Sequence, residues 1–165
     1  MPNKPSLVIN TSPLVALMTG LDDFHVLGEV ATLVVPGEVM AELQAGKARD
    51  DVAKRIASTP SCAIRANLPS LPLSLQSALG AGEAAVIHTA LTESISTVVI
   101  DERKGRRTAA LPGLRVTGSL GRLFALQRRG LVTSIRPAIA RMKAKGIHLS
   151  DDLVNEALQL EGGKR

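Results

Sequence analysis

Four short apolar runs punctuate the chain, and each gives way to a helical pattern. Ser6–Asn10 (SLVIN), Thr32–Val35 (TLVV), Thr97–Ile100 (TVVI) and Leu114–Thr117 (LRVT) are rich in β-branched residues and too short for amphipathic helices. The first three, as continuous apolar runs without alternation, predict strands buried on both faces, the mark of a parallel sheet, and Leu114–Thr117 is strand-like. After the first run, Ser12 as N-cap and Pro13 at the first helical position predict a helix over Leu14–Thr19 that stops at Gly20. Helical patterns follow over Phe24–Val30, from Pro36 through Glu38 and Glu42, and over Ala48–Ser58, Ala84–Leu91 and Leu120–Arg129. A basic helix should follow Asp101 and run to Leu111, and the tail should hold Pro137–Lys145 and a Ser150-capped Asp151–Leu160. Between Ser61 and Pro72, prolines at 60, 69 and 72 predict loops or at most an edge strand. Alternating strands and helices on one chain of 165 residues predict a single domain, 1–165, of the α/β class: a three-layer α/β/α sandwich with a central parallel sheet.

In such a fold every strand ends at the same edge, and ligands bind there. Asn10 and Asp101 terminate two of the strands, and Glu42 and Glu83 lie on helices able to reach the same edge. Local sequence gives Asp101 two readings, the cap of the helix that follows or part of a site. Glu83 in a first helical turn also suits the helix dipole. Taken together, three carboxylates and a carboxamide form an oxygen-rich pocket suited to Mg²⁺ or Mn²⁺. Gly80 and Gly82 precede no lysine and follow no strand, so a phosphate-cradling loop is discounted.

Charge sharpens this picture. Residues 1–96 carry six Lys/Arg against nine Asp/Glu, net −3, whereas residues 97–165 carry fourteen against six, net +8. The basic half predicts an anionic partner, nucleic acid or an acidic protein segment. With Phe24 and Phe124 as the only aromatic residues, base stacking cannot be the main mode of recognition, and contacts should rest on phosphates through Arg103, Arg106 and Arg107. The single cysteine, Cys62, excludes a disulfide framework and a cysteine zinc site. No apolar run is long enough to span a membrane, and MPNKPS lacks the order of a signal peptide, so a cytoplasmic location is expected. His25, His88 and His148 fall at unrelated positions and suggest no ligand set.

Five segments in order, INTSPLVAL, VPGEVMAEL, LGAGEAAVIHTAL, VVIDERKGRRTA and LRVTGSLGRL, resemble the PIN-domain family, closest to small bacterial and archaeal members that open with NTSP. The similarity runs from about Leu7 to Leu158 and is weakest between Gly46 and Leu75. The resemblance implies a three-layer α/β fold and a Mg²⁺- or Mn²⁺-dependent ribonuclease, often the toxin of a toxin–antitoxin pair and often a homodimer. It places the acidic quartet at Asn10, Glu42, Glu83 and Asp101, which would serve as both catalytic and metal-binding positions. Ser12 then matches the small hydroxyl residue two positions after the first acid, and Arg106 lies in the segment that brings a polar group beside the site. Where the family's nucleases have Asp, this chain has Asn10, whose amide can ligate a metal but cannot accept a proton. Two functions are therefore open: a ribonuclease, or a PIN-like module that binds RNA or an antitoxin-like protein without turnover, its acids satisfied by arginines as in a Glu83–Arg106 pair.

Overall fold

The computed structural model describes residues 3–46 and 50–163. Five strands, β1 (Ser6–Ile9), β2 (Thr32–Val35), β3 (Cys62–Ile64), β4 (Thr97–Val99) and β5 (Arg115–Thr117), form one sheet in the order β3-β2-β1-β4-β5. All pairings are parallel, with Val8 level with Val34 on one side and with Val98 on the other. Val8, Ile9, Val98, Val99 and Ile100 are fully buried, as the unbroken apolar runs require. β3 is the expected edge strand, and its residues are only half-buried or exposed.

Helices α1 (Thr11–Gly20), α2 (Leu27–Val30, preceded by the 3₁₀ turn Phe24–Val26), α3 (Gly37–Ala45) and α4 (Asp50–Ala57) accompany the β1-to-β3 half. Helices α5 (Leu73–Ala78) and α6 (Ala81–Thr92) lead to β4, α7 (Arg103–Ala110) joins β4 to β5, and α8 (Ser119–Arg128), α9 (Arg136–Ala144) and α10 (Asp151–Gly162) complete the chain. From β1 the chain steps outward one way to β2 and β3, then crosses back to β4 and steps the other way to β5. Right-handed crossovers therefore place α1 and α7 on opposite faces, giving the three layers. α1 packs against α8 and α9, whereas α6 lies on β1 and β4. The strand order reverses between β1 and β4, so the crevice for a ligand is expected where those two strands end. None of the described helices is long and apolar enough to cross a membrane.

Several boundaries differ from expectation for local reasons. α1 begins at Thr11 with Asn10 as its N-cap, two residues before the Ser12 cap expected, and Asn10 caps with its backbone only. Pro13 is accommodated because amides of a first turn have no intrahelical partner. α7 is capped by Glu102 and not by Asp101, which removes the simplest structural explanation of that acid. α5 was not expected: none of its residues is buried, so it writes no apolar stripe into the sequence. Of the expected Ala48–Ser58 helix, Asp50–Ala57 is helical, while Ala48 and Arg49 lie outside the described residues.

Candidate active site

Asn10 and Asp101 stand at the ends of the two central strands, and the Asn10 amide donates to the Val99 carbonyl at 3.0 Å. Asn10 is buried, with 5% of its surface exposed. The next residue, Thr11, donates its hydroxyl to Glu42 Oε2 at 2.6 Å, and the Gly82 amide donates to Glu42 Oε1 at 2.9 Å. The carboxylate from α3 thus rests on the N-terminus of α6, where unpaired amides and the helix dipole favour an anion. Gly82 permits the approach, since a Cβ there would stand 2.6 Å from Glu42 Oε2. The glycine-rich turn does hold an anion, but it is the protein's own.

Glu83, the next residue along α6, is in a different state. Its Oε1 is buried and has no hydrogen-bond partner. Burial first, then the negative charges of Glu102 and Glu42, push its carboxyl above the usual carboxylate range, offset in part by Lys104 and the Gly80 amide. α7 backs this oxygen with Gly105, where a Cβ would stand 2.5 Å from Glu83 Oε1 and 3.0 Å from the Ile100 side chain. The glycine inside the basic run RKGRR is therefore a packing requirement of the acid beneath it.

Asp101 turns the other way. The Ser119 amide donates to its Oδ1 at 2.7 Å and the Ser119 hydroxyl to its Oδ2 at 2.5 Å. Arg106 does not pair with Glu83: its Nη1 donates to the Ile100 carbonyl at 2.8 Å, so the expected Glu83–Arg106 pair is not formed. One turn into α7, the side chain reaches back over its own helix start. A Cβ on Gly118 would stand 2.6 Å from Asp101 Oδ1 and 3.0 Å from Arg106 Nη1, so the acid and the guanidinium meet at that glycine. Ser12, Arg103 and Arg107 are exposed on the surface.

All four predicted positions thus lie at the carboxyl edge of the sheet. Glu42 and Glu83 are close enough to repel, with Glu102 beside them, whereas Asp101 is held by Ser119. No three His, Cys, Asp or Glu side chains among the described residues converge into a metal-holding group. A hard ion such as Mg²⁺ keeps several waters and is commonly bound through one or two carboxylates. The partnerless Glu83 oxygen, crowded by like charges, fits that demand. Arg103 and Lys104 open α7 against the sign of its dipole, and the neighbouring acids offset that cost.

The family model described as DUF3368, a PIN domain, matches residues 6–162. The chain belongs to the PIN-domain family. A comparison with curated proteins gives no significant match. The match takes in the five strands and the four edge positions of this PIN domain. Thr11, Glu102 and Ser119, which hold or repel the acids, were not singled out by sequence. Thr11 and Ser119 lie inside the motifs INTSPLVAL and LRVTGSLGRL, but their roles depend on which strand ends the sheet brings together. Arg122, on α8, is half-buried with a partnerless Nε; burial, then the charge of Arg129, lowers its pKa.

Proposed function

We propose that this PIN domain is a divalent-metal-dependent ribonuclease. The observation that carries the reading is Glu83 Oε1, buried and without a partner at the strand-order reversal, between Glu42 and Glu102. A cation bound there relieves the repulsion, and the oxygen donor set suits Mg²⁺ or Mn²⁺. Glu83 and Glu42 would hold it, with the Asn10 amide oxygen and Asp101 completing the edge. When bound, such an ion orients water and neutralises charge on a phosphodiester.

The chain's own groups have separable tasks. Thr11 and Gly82 fix Glu42, Ser119 fixes Asp101, and Arg106, anchored on Ile100, offers its remaining donors beside Asp101 to a phosphate oxygen. Arg103 and Arg107 on the exposed face of α7 draw in the backbone, and Ser12 offers a hydroxyl at the start of α1. Asn10 contributes no negative charge and takes no proton, which lowers the affinity of the edge for a cation relative to a site with four acids.

A second reading has its own support. Both oxygens of Glu42 and both of Asp101 already have protein donors, as expected of a PIN module that binds RNA or an antitoxin-like protein without turnover. The nuclease is favoured because Glu83 Oε1 has no protein donor. A role as the toxin of a toxin–antitoxin pair, a homodimeric assembly and a cytoplasmic location belong to the same proposal. A small protein encoded beside this one that binds it and blocks cleavage would support the toxin role.

The test is cleavage of single-stranded RNA in Mn²⁺ by the wild type, Glu83→Gln and Asp101→Asn. Cleavage by the wild type that falls about a hundredfold in Glu83→Gln supports the nuclease. Equal inertness of all three favours the binding module.

A further inference from the structure

Beside the acidic edge lies a slot of about 360 Å³ between β5, α8 and α10. Leu120, Phe124, Leu153 and Leu160 line it, together with Asp101 and Arg106. Leu153 and Leu160, on α10, are about half exposed, so the slot opens to solvent along that wall. His148 and Glu156 stand at the rim.

We propose that this slot receives one base of the RNA strand, next to the phosphate that Arg106 would bind beside Asp101. The proposal rests on the nuclease reading and adds a specificity site to it. Three observations favour a base over other occupants. The volume lies at the low end for small-ligand pockets, ~300–1,000 Å³, whereas a docked helix is about 10–12 Å across and needs a groove running several turns. Asp101 and Arg106, assigned above to the phosphate step, line the same slot, so a base seated in it lies next to the phosphate they serve. The third concerns aromatic residues, of which the chain has two, Phe24 and Phe124. Phe24 is 3% exposed in the core, while Phe124 lines this slot. One phenyl ring, set among the aliphatic side chains Leu120, Leu153 and Leu160 with His148 also on the lining, suits one base and not a run of stacked bases. Its place one strand-end from Asp101 ties that base to the scissile step.

The test is a double-mutant cycle on binding, measured in Ca²⁺ so that it is independent of turnover. The ligand is a short single-stranded RNA in which an abasic site is moved along the strand. In the wild type, one abasic position should weaken binding about tenfold while the others change it little. Phe124→Leu, which keeps an apolar wall of similar size, should weaken the intact RNA and abolish the penalty at that one position. Leu153→Ala, on the exposed wall and of small cost to the fold, should reduce the same penalty. Equal sensitivity to all abasic positions, a penalty that persists in both variants, or no RNA binding at all overturns the base slot. RNA binding that a peptide displaces, with no position-specific penalty, also overturns it and assigns the slot to a protein partner. A position-specific penalty in a protein that never cleaves RNA in Mn²⁺ upholds the slot and overturns the nuclease reading alone.

Discussion

Ser119 holds Asp101 with two groups at once, its amide on Oδ1 at 2.7 Å and its hydroxyl on Oδ2 at 2.5 Å. The acid at the end of β4 is thereby tied to the start of α8, across the intervening helix and strand, and aligned beside Gly118 and Arg106. Ser119 is 1% exposed, so its hydroxyl cannot find water as an alternative partner. Ser119→Ala should destabilise the protein by about 1 kcal/mol, lowering the melting temperature by roughly 2–4 °C. RNA cleavage should fall by more than that loss of folded protein explains, because Asp101 is no longer aimed. Unchanged melting and cleavage would show the bond to be without consequence.

Gly105 marks the contact between α7 and Glu83. Alanine there places a Cβ 2.5 Å from Glu83 Oε1 and 3.0 Å from the Ile100 side chain, and overpacking of this kind costs about 1–3 kcal/mol. Gly162, the last residue of α10, has nothing within 4 Å of the equivalent Cβ, so Gly162→Ala should instead gain a little from helix propensity, less than the ~0.5–1 kcal/mol of a mid-helix site. Opposite shifts of the urea midpoint are expected. Equal shifts would mean that α7 does not press on Glu83.

The buried Asn10 stands at the same edge as Glu42, Glu83 and Glu102. Asn10→Asp adds a fourth acid, so the cation-free protein should melt below the wild type at neutral pH. Added Mn²⁺ should then raise its melting temperature more than that of the wild type, since a ligand bound only by the native state stabilises in proportion to its affinity. Identical Mn²⁺ responses would place Asn10 outside the cation's reach.

Glu161 anchors α10 by accepting from Gln127 Nε2 at 2.9 Å and from the Ile135 amide at 2.8 Å, with Arg136 Nε at 3.2 Å. Burial by itself would raise its pKa, but Ser134, the Ile135 amide and Arg136 together hold it below the ordinary 4.5. A carboxyl held down in the fold favours the ionised native state, so its contribution is present above the unfolded value and is lost as pH falls through the lower native one. Glu161→Gln should therefore be less stable than the wild type at pH 7, and the gap should narrow below about pH 4.5. A gap that stays constant with pH would show that the charge of Glu161 contributes nothing.

How much of this was legible in the sequence depends on the range of the interaction responsible. β1, β2 and β4 are short apolar runs because both of their faces are covered, and Asn10 and Asp101 follow from where two of those runs stop. Caps were displaced by one or two residues: Asn10 and Glu102 take the places expected of Ser12 and Asp101, since a cap is decided by backbone direction on leaving the sheet. α5 left no trace because nothing on it is buried. The partners of the acids were illegible for a different reason. Thr11 meets Glu42, and Ser119 meets Asp101, only after the sheet has brought distant segments to one edge, and Arg106 reaches Ile100 where the binding-module reading paired it with Glu83.

The most direct measurement is a calorimetric titration of Mn²⁺ into the wild type and into Glu83→Gln at neutral pH. One bound ion in the wild type and a lost or greatly weakened site in the variant are expected, because Glu83 supplies the unsatisfied oxygen. No binding to the wild type, or equal binding to both proteins, would contradict a cation held at the strand-order reversal.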